Sequence, residues 1–160
     1  MNTQHKLKTT DPIVDLQHKL DLMEMKSKLS TLWIFTFLTM IFRDLHEFGR
    51  EGFLAEMMTG VVGGVQLTEE LLLFGGIVVA IQIVMVILSQ MLPYRFNRWA
   101  NIIVGVLTIG VIFSNGTNDL DDIWFSAIEV ITLLFIIWSA WTWSDSNEEL
   151  RSNITSLESH

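Results

Sequence analysis

The chain contains no cysteine, which removes disulfides, thiolate metal sites, iron–sulfur ligation and thiol catalysis together. Charge is scarce: 18% of the 160 residues are Asp, Glu, Lys or Arg, against about 25% in an ordinary soluble domain. Basic residues are the scarcer sign, ten against eighteen acids for a net charge of −8. That excludes a nucleic-acid binder, whose affinity comes from clustered Lys and Arg. The five lysines Lys6, Lys8, Lys19, Lys26 and Lys28 all precede the first apolar run, so no intramembrane Schiff base is available. The four histidines are His5, His18, His46 and His160, and no Glu-x-x-His pair exists for a carboxylate-bridged metal. Neither a Walker loop nor a Gly-x-Ser-x-Gly elbow occurs. No metal and no cofactor is expected.

Half of the residues are hydrophobic, and the charges are sorted rather than sprinkled: Leu71 to Ser89 holds no ionisable residue. About 20 apolar residues cover roughly 30 Å of hydrocarbon. Four segments meet that need, at about 29–48, 71–92, 99–114 and 123–143. The first is the weakest. Its apolar part, Leu29 to Phe42, is 14 residues long, and reaching Phe48 takes Arg43, Asp44, His46 and Glu47 to membrane depth. The expected fold is all-α, an integral membrane four-helix bundle at 29–143, with a cytosolic N-terminal segment at 1–28 and a polar cytosolic tail at 144–160.

Eight of the ten Lys and Arg residues fall on one side, in the N-terminal segment, at Arg95 and Arg98, and at Arg151; only Arg43 and Arg50 fall on the other. This split places both termini in the cytoplasm. Trp33, Tyr94, Trp99, Trp141 and Trp143 fall near the inner boundary and Trp124 near the outer one, as an aromatic belt requires. The polar, partly acidic first 28 residues do not form a cleavable signal peptide. Pro12, with Ile13, Leu16, Leu20 and Met23 at helical spacing, predicts a short amphipathic helix over 11–28, lying on the inner interface or against the bundle. Between spans one and two, the apolar connection from Gly49 to Glu70 predicts a second amphipathic helix, Gly52 to Met58, lying over the outer mouth of the bundle. Gly60 and Gly64 stand there in small-xxx-small register.

An intramembrane carboxylate is the most informative residue. Glu129 lies seven residues past Asp122, about 10 Å below the outer boundary, and is costly there unless it finds a partner. Arg43 lies 15 residues past Lys28, which brings it to a similar depth. Arg43 and Glu129 are therefore expected to meet, with Asp44, His46 and Glu47 close by and Glu47 able to compete for Arg43. Two roles fit. One is a buried ion pair fixing helix register. The other is an outward-opening polar pocket in which Arg43 holds an anionic or carbonyl group while His46, Glu47 or Glu129 exchanges protons. Gln82, near the middle of the second span, is expected to bond across to a neighbouring helix. Asn101, Gly105 and Thr108 form a close-packing face on the third span, and Gly75, Gly76 and Ala80 do so on the second. Pro93 to Trp99 is an inner turn whose arginines meet lipid phosphates. Asn115-Gly-Thr117 is formally a glycosylation sequon on the outer side.

Lys28-Leu-Ser-Thr-Leu-Trp-Ile-Phe at the first span, Asn97-Arg-Trp-Ala-Asn-Ile-Ile opening the third, and Ala127-Ile-Glu-Val with Leu134-Phe-Ile-Ile-Trp-Ser-Ala-Trp in the fourth resemble a family of small prokaryotic four-span membrane proteins of unknown function. That family is distantly similar to the DoxX-like group. The resemblance implies a four-helix bundle in a bacterial inner membrane and supplies no reaction. The function read from the sequence is a non-enzymatic accessory subunit or small-solute binder. Its alternatives are a quinone- or lipid-linked redox enzyme component and a homo-oligomeric small transporter. The expected partners are the lipid bilayer and a second copy of the chain or another membrane subunit, with no nucleic acid.

Overall fold

The computed structural model describes residues 12–115 and 120–143. The first 11 residues, the tail at 144–160 and most of the 115–117 sequon lie outside the described residues. Among the described residues the chain forms five helices and one two-stranded hairpin. They are α1 (Pro12–Glu47), α2 (Phe53–Thr59), β1 (Val61–Val62), β2 (Val65–Gln66), α3 (Glu69–Met91), α4 (Tyr94–Asn115) and α5 (Leu120–Thr142). Three of them, α3, α4 and α5, are long and apolar enough to cross a membrane.

α1 corrects one expectation. The short amphipathic helix expected over 11–28 and the apolar segment expected as a first span form one continuous helix of 36 residues, roughly 54 Å long. The reason is in the sequence, since no glycine and no second proline interrupts Pro12 to Glu47. The helix stops where Gly49 N–H reaches back to the His46 carbonyl at 2.9 Å.

The outer connection also differs from its reading. α2 has no buried residue and packs on β1 rather than over the mouth of the bundle. Gly60, Gly63 and Gly64 hold no helices together, for nothing lies within 4 Å of a Cβ added at any of them. They serve backbone geometry instead. Gly60 (φ 74) closes α2, and Gly63 and Gly64 (φ 56 and 81) turn the hairpin that pairs Val62 with Val65. Two positive φ values in a two-residue loop make a type I′ turn, in which Gly-Gly is a favoured pair. Glu56 ties the two pieces together by accepting from Gly63 N–H at 3.1 Å.

α3 begins at Thr68, whose hydroxyl accepts from Leu71 N–H at 3.3 Å. Pro93 ends it and starts α4, whose Asn97 N–H bonds the Pro93 carbonyl at 2.9 Å. α1 packs along α3 and α5, α4 packs along α5, and α3 meets α4 less closely. The N-terminal end of α3 stands clear, with residues 69–77 all exposed. Gly75 and Gly76 therefore face open space and Ala80 is exposed, so the packing expected of that stripe is not made among the described residues.

On α4 the small residue does sit against a neighbour. A Cβ on Gly105 would lie 2.9 Å from Ile137 Cγ1 on α5, and Asn101, Gly105 and Thr108 are all buried. Gly105→Val is expected to push α4 off α5 and to lower stability by about 1–3 kcal/mol, the usual cost of overpacking. Thermal unfolding of the solubilised protein checks this, and a variant as stable as the parent would show that the two helices yield at no cost.

The bundle is built the reverse of a soluble domain. Its interior carries Thr36, Gln82, Asn97, Asn101, Glu129 and Ser139 besides Leu29, Met85, Leu133 and Ile136, while Leu72, Leu73, Ile131 and Phe113 face outward. Lipid tails are as apolar as leucine, so burial gives an apolar side chain no advantage in a bilayer. Polar groups go inside because their hydrogen-bond partners are there.

Candidate functional site

Arg43 is on the last turns of α1 and Glu129 one turn past Ser126 on α5. Arg43 Nη1 lies 3.2 Å from Glu129 Oε2 and donates to Ser126 Oγ at 3.4 Å. The pair is well inside, with side-chain exposures of 16% for Arg43 and 2% for Glu129. Glu129 Oε1 has no hydrogen-bond partner. Asp44 approaches Arg43 Nε at 3.9 Å from the more open side. One guanidinium thus meets two carboxylates and a hydroxyl from two helices.

About one turn past Arg43 along α1, a polar depression of about 410 Å³ opens among His46, Glu47, Gly49, Arg50 and Asp121, with neither Arg43 nor Glu129 in its lining. His46 leans on Phe125 with ring centroids 5.2 Å apart. Glu47, expected to compete for Arg43, is paired with Arg50 at 3.4 Å, and Arg50 also lies 3.9 Å from Glu56. Arg50 stacks over Phe53 at 5.2 Å, which fixes α2 to the rim. Both arginines already have counter-ions, whereas Asp121 and Glu129 Oε1 keep acceptor capacity. Among the described residues no three His, Asp or Glu side chains converge as metal ligands.

Gln82 is buried on α3, where its Nε2 meets Met40 Sδ at 3.4 Å and its Oε1 has no partner. Met40 is three residues before Arg43, about 4.5 Å along the helix. Gln82 therefore lies just below the charged cluster, on the opposite helix.

Toward the other end of the bundle lies a network that the sequence reading did not assemble. Trp33 Nε1 donates to Asn101 Oδ1 at 2.7 Å, and Ser89 Oγ donates to the same oxygen at 3.3 Å. Asn101 Nδ2 donates to the carbonyl and side-chain oxygens of Asn97 at 2.8 and 2.6 Å, and Asn97 Nδ2 donates to the Ser89 carbonyl at 2.6 Å. Trp33 is fully buried and Trp143 nearly so. Neither belongs to an interfacial belt, because each indole has a polar partner or an aromatic neighbour inside the bundle. Trp143 packs edge-on against Tyr94 at 5.0 Å, and the Tyr94 hydroxyl donates to its carbonyl at 2.6 Å. Arg98 donates to the Trp141 carbonyl at 3.0 Å, so part of its donor capacity closes the end of α5 rather than meeting lipid.

Two signals pointed toward these residues. Asn97 and Asn101 stand four apart on one helix face, and Ser126 stands three before Glu129.

No curated protein and no solved structure matches the chain. A relationship to the DoxX-like group is not shown. Residues 20–150 match the model described as Family of unknown function (DUF6326), and the chain belongs to that family.

Proposed function

We propose that this is a four-span membrane protein with both termini in the cytoplasm, in a bacterial inner membrane, and that it is a non-enzymatic binder of a small polar solute. The residues of α1 from Leu29 to Glu47 number 19, about 28 Å of helix, enough for the fourth crossing. The charged end of α1 is tolerable at depth because Arg43 meets Glu129 on α5. The segment before Leu29 then projects from the inner face.

One observation carries the binding role: a polar depression lined by His46, Glu47, Arg50 and Asp121 opens about one turn along α1 from a buried arginine–glutamate pair, and one oxygen of that glutamate lacks a partner. The surroundings favour a cation over the anion first considered. Arg43 and Arg50 are already neutralised by Glu129, Asp44, Glu47 and Glu56, while Asp121 lines the depression and offers a carboxylate to a guest. A protonated amine fits that chemistry.

The test is a thermal-shift titration of the solubilised protein with short alkylamines and with carboxylates of matching length. Amines are expected to raise the melting temperature, carboxylates to leave it unchanged, and Asp121→Asn to abolish the amine effect without changing the baseline melt. Stabilisation by carboxylates would reverse the charge assignment. A response to neither would leave the pair a fastener of helix register.

A further inference from the structure

A second feature lies at the opposite end of the bundle, where Lys28 and Arg98 stand. Between α1 and α5 runs an apolar groove of about 630 Å³, lined among others by Leu32, Phe35, Ile131, Phe135, Trp138 and Trp141. Its size is that of a small-molecule site, and its walls hold almost no polar group. Two cations rest on its aromatic walls. Lys28 Nζ lies 4.7 Å from the centroid of the Phe135 ring, and Arg98 Cζ lies 5.7 Å from that of Trp141. Phe135 and Trp141 are six residues apart on α5, about 9 Å along the helix. Lys28 therefore rests on the middle of the groove's α5 wall and Arg98 at its Trp141 end.

Neither charge is spent. Lys28 is exposed and, among the described residues, pairs with no carboxylate; its ammonium faces only a ring. Arg98 donates to Trp141 O and Tyr94 Oη, which leaves part of its five-donor fork unused. An apolar slot with two available cations on its aromatic wall is complementary to an anion with a hydrocarbon tail. We propose that this groove binds an anionic glycerophospholipid of the inner leaflet, its phosphate held by Lys28 and Arg98 and an acyl chain lying along Phe35, Phe135 and Trp138. A second copy of the chain is a poorer occupant. A twofold contact there would bring Lys28 and Arg98 toward their own equivalents, and none of the described residues lining the groove is acidic.

Native mass spectrometry of the protein in mild detergent, titrated with phosphatidylglycerol and phosphatidylcholine of identical acyl chains, tests this. Phosphatidylglycerol is expected to be retained about fivefold more strongly, the ratio that one cation near a membrane surface supplies. Lys28→Gln, at an exposed position, is expected to fold and to remove most of that preference. Trp138→Ala is expected to weaken retention of both lipids. Excess glycerol phosphate is expected to displace neither; displacement would make this a site for a free phosphate and overturn the lipid assignment. Equal retention of the two lipids, an unchanged preference in Lys28→Gln, or a lipid-free dimer would each overturn it as well.

Discussion

Arg43→Met is expected to lower the stability of the solubilised protein by about 3–5 kcal/mol, the usual cost of leaving one member of a buried ion pair alone. The structure places this substitution at the upper end of single-site effects for a specific reason. Glu129 has 2% side-chain exposure, Arg43 supplies the contact to its Oε2 at 3.2 Å, and its Oε1 has no partner at all. Removing the guanidinium leaves a buried carboxyl group on α5 without its cation. Arg43→Met together with Glu129→Leu is expected to recover most of the loss, since a buried pair replaced by apolar groups of similar volume is often neutral or stabilising. Unfolding in mixed micelles with increasing denaturing detergent measures both. A loss below about 1 kcal/mol in the single variant would mean that the pair behaves as a solvated surface bridge. The double variant also separates the two roles of the cluster. If it is stable and still binds the amine, the pair is a fastener and Asp121 carries recognition; if it is stable and does not bind, the pair belongs to the site.

The meeting of Arg43 and Glu129 was legible because depth along a helix is simple arithmetic, and two opposite charges at one depth have few alternatives in a bilayer. Rotation about the helix axis was far less legible. In a soluble bundle an apolar stripe marks the inward face, whereas here the inward face of α1 mixes kinds: Leu29, Trp33, Thr36, Met40 and then Arg43. Hydropathy alone cannot find such a stripe. Depth alone accordingly makes Trp33 an interfacial anchor, although its spacing from Leu29 and Thr36 puts it inside. On α5 the polar residues mark the interior more plainly, with Ser126, Glu129, Thr132 and Ser139 recurring on the buried side. The outer hairpin failed for another reason. Gly63-Gly64 between two valine-containing pairs is a turn signal, but glycine in a membrane protein is also a packing residue, and the surrounding apolar run points to that second role. Gly75 and Gly76 failed in the same way. Composition marks them as able to pack, and only the course of α3 shows that its N-terminal end has nothing beside it among the described residues.

Asn101→Leu is expected to cost about 2–3 kcal/mol, and the estimate follows from counting bonds rather than area. Its Oδ1 accepts from Trp33 on α1 and Ser89 on α3, and its Nδ2 donates to Asn97 one turn earlier on α4. Individual interhelical hydrogen bonds in membranes contribute about 0.6 kcal/mol on average and up to about 1.7. The Trp33 bond, at 2.7 Å between fully buried groups, belongs near the top of that range. Leucine supplies comparable volume, so the loss is mainly polar. Trp33→Phe removes the one donor and, the new ring being smaller, leaves a space at a fully buried position, and is expected to cost about 1–3 kcal/mol. The two changes together should cost less than their sum by about 0.5–1 kcal/mol, because the second removes a bond that the first has already broken. Strict additivity would mean that Trp33 and Asn101 act separately despite their contact. The consequence reaches beyond stability. α3 and α4 meet less closely than the other neighbouring helices and are joined by the short Leu92-Pro93 turn, so Asn101 is the side chain that ties α1, α3 and α4 together at one level. Loosening that level is expected to make the Leu92-Pro93 turn more susceptible to limited proteolysis in Asn101→Leu, while Trp33→Phe, which leaves the Ser89 and Asn97 bonds intact, should remain as resistant as the parent.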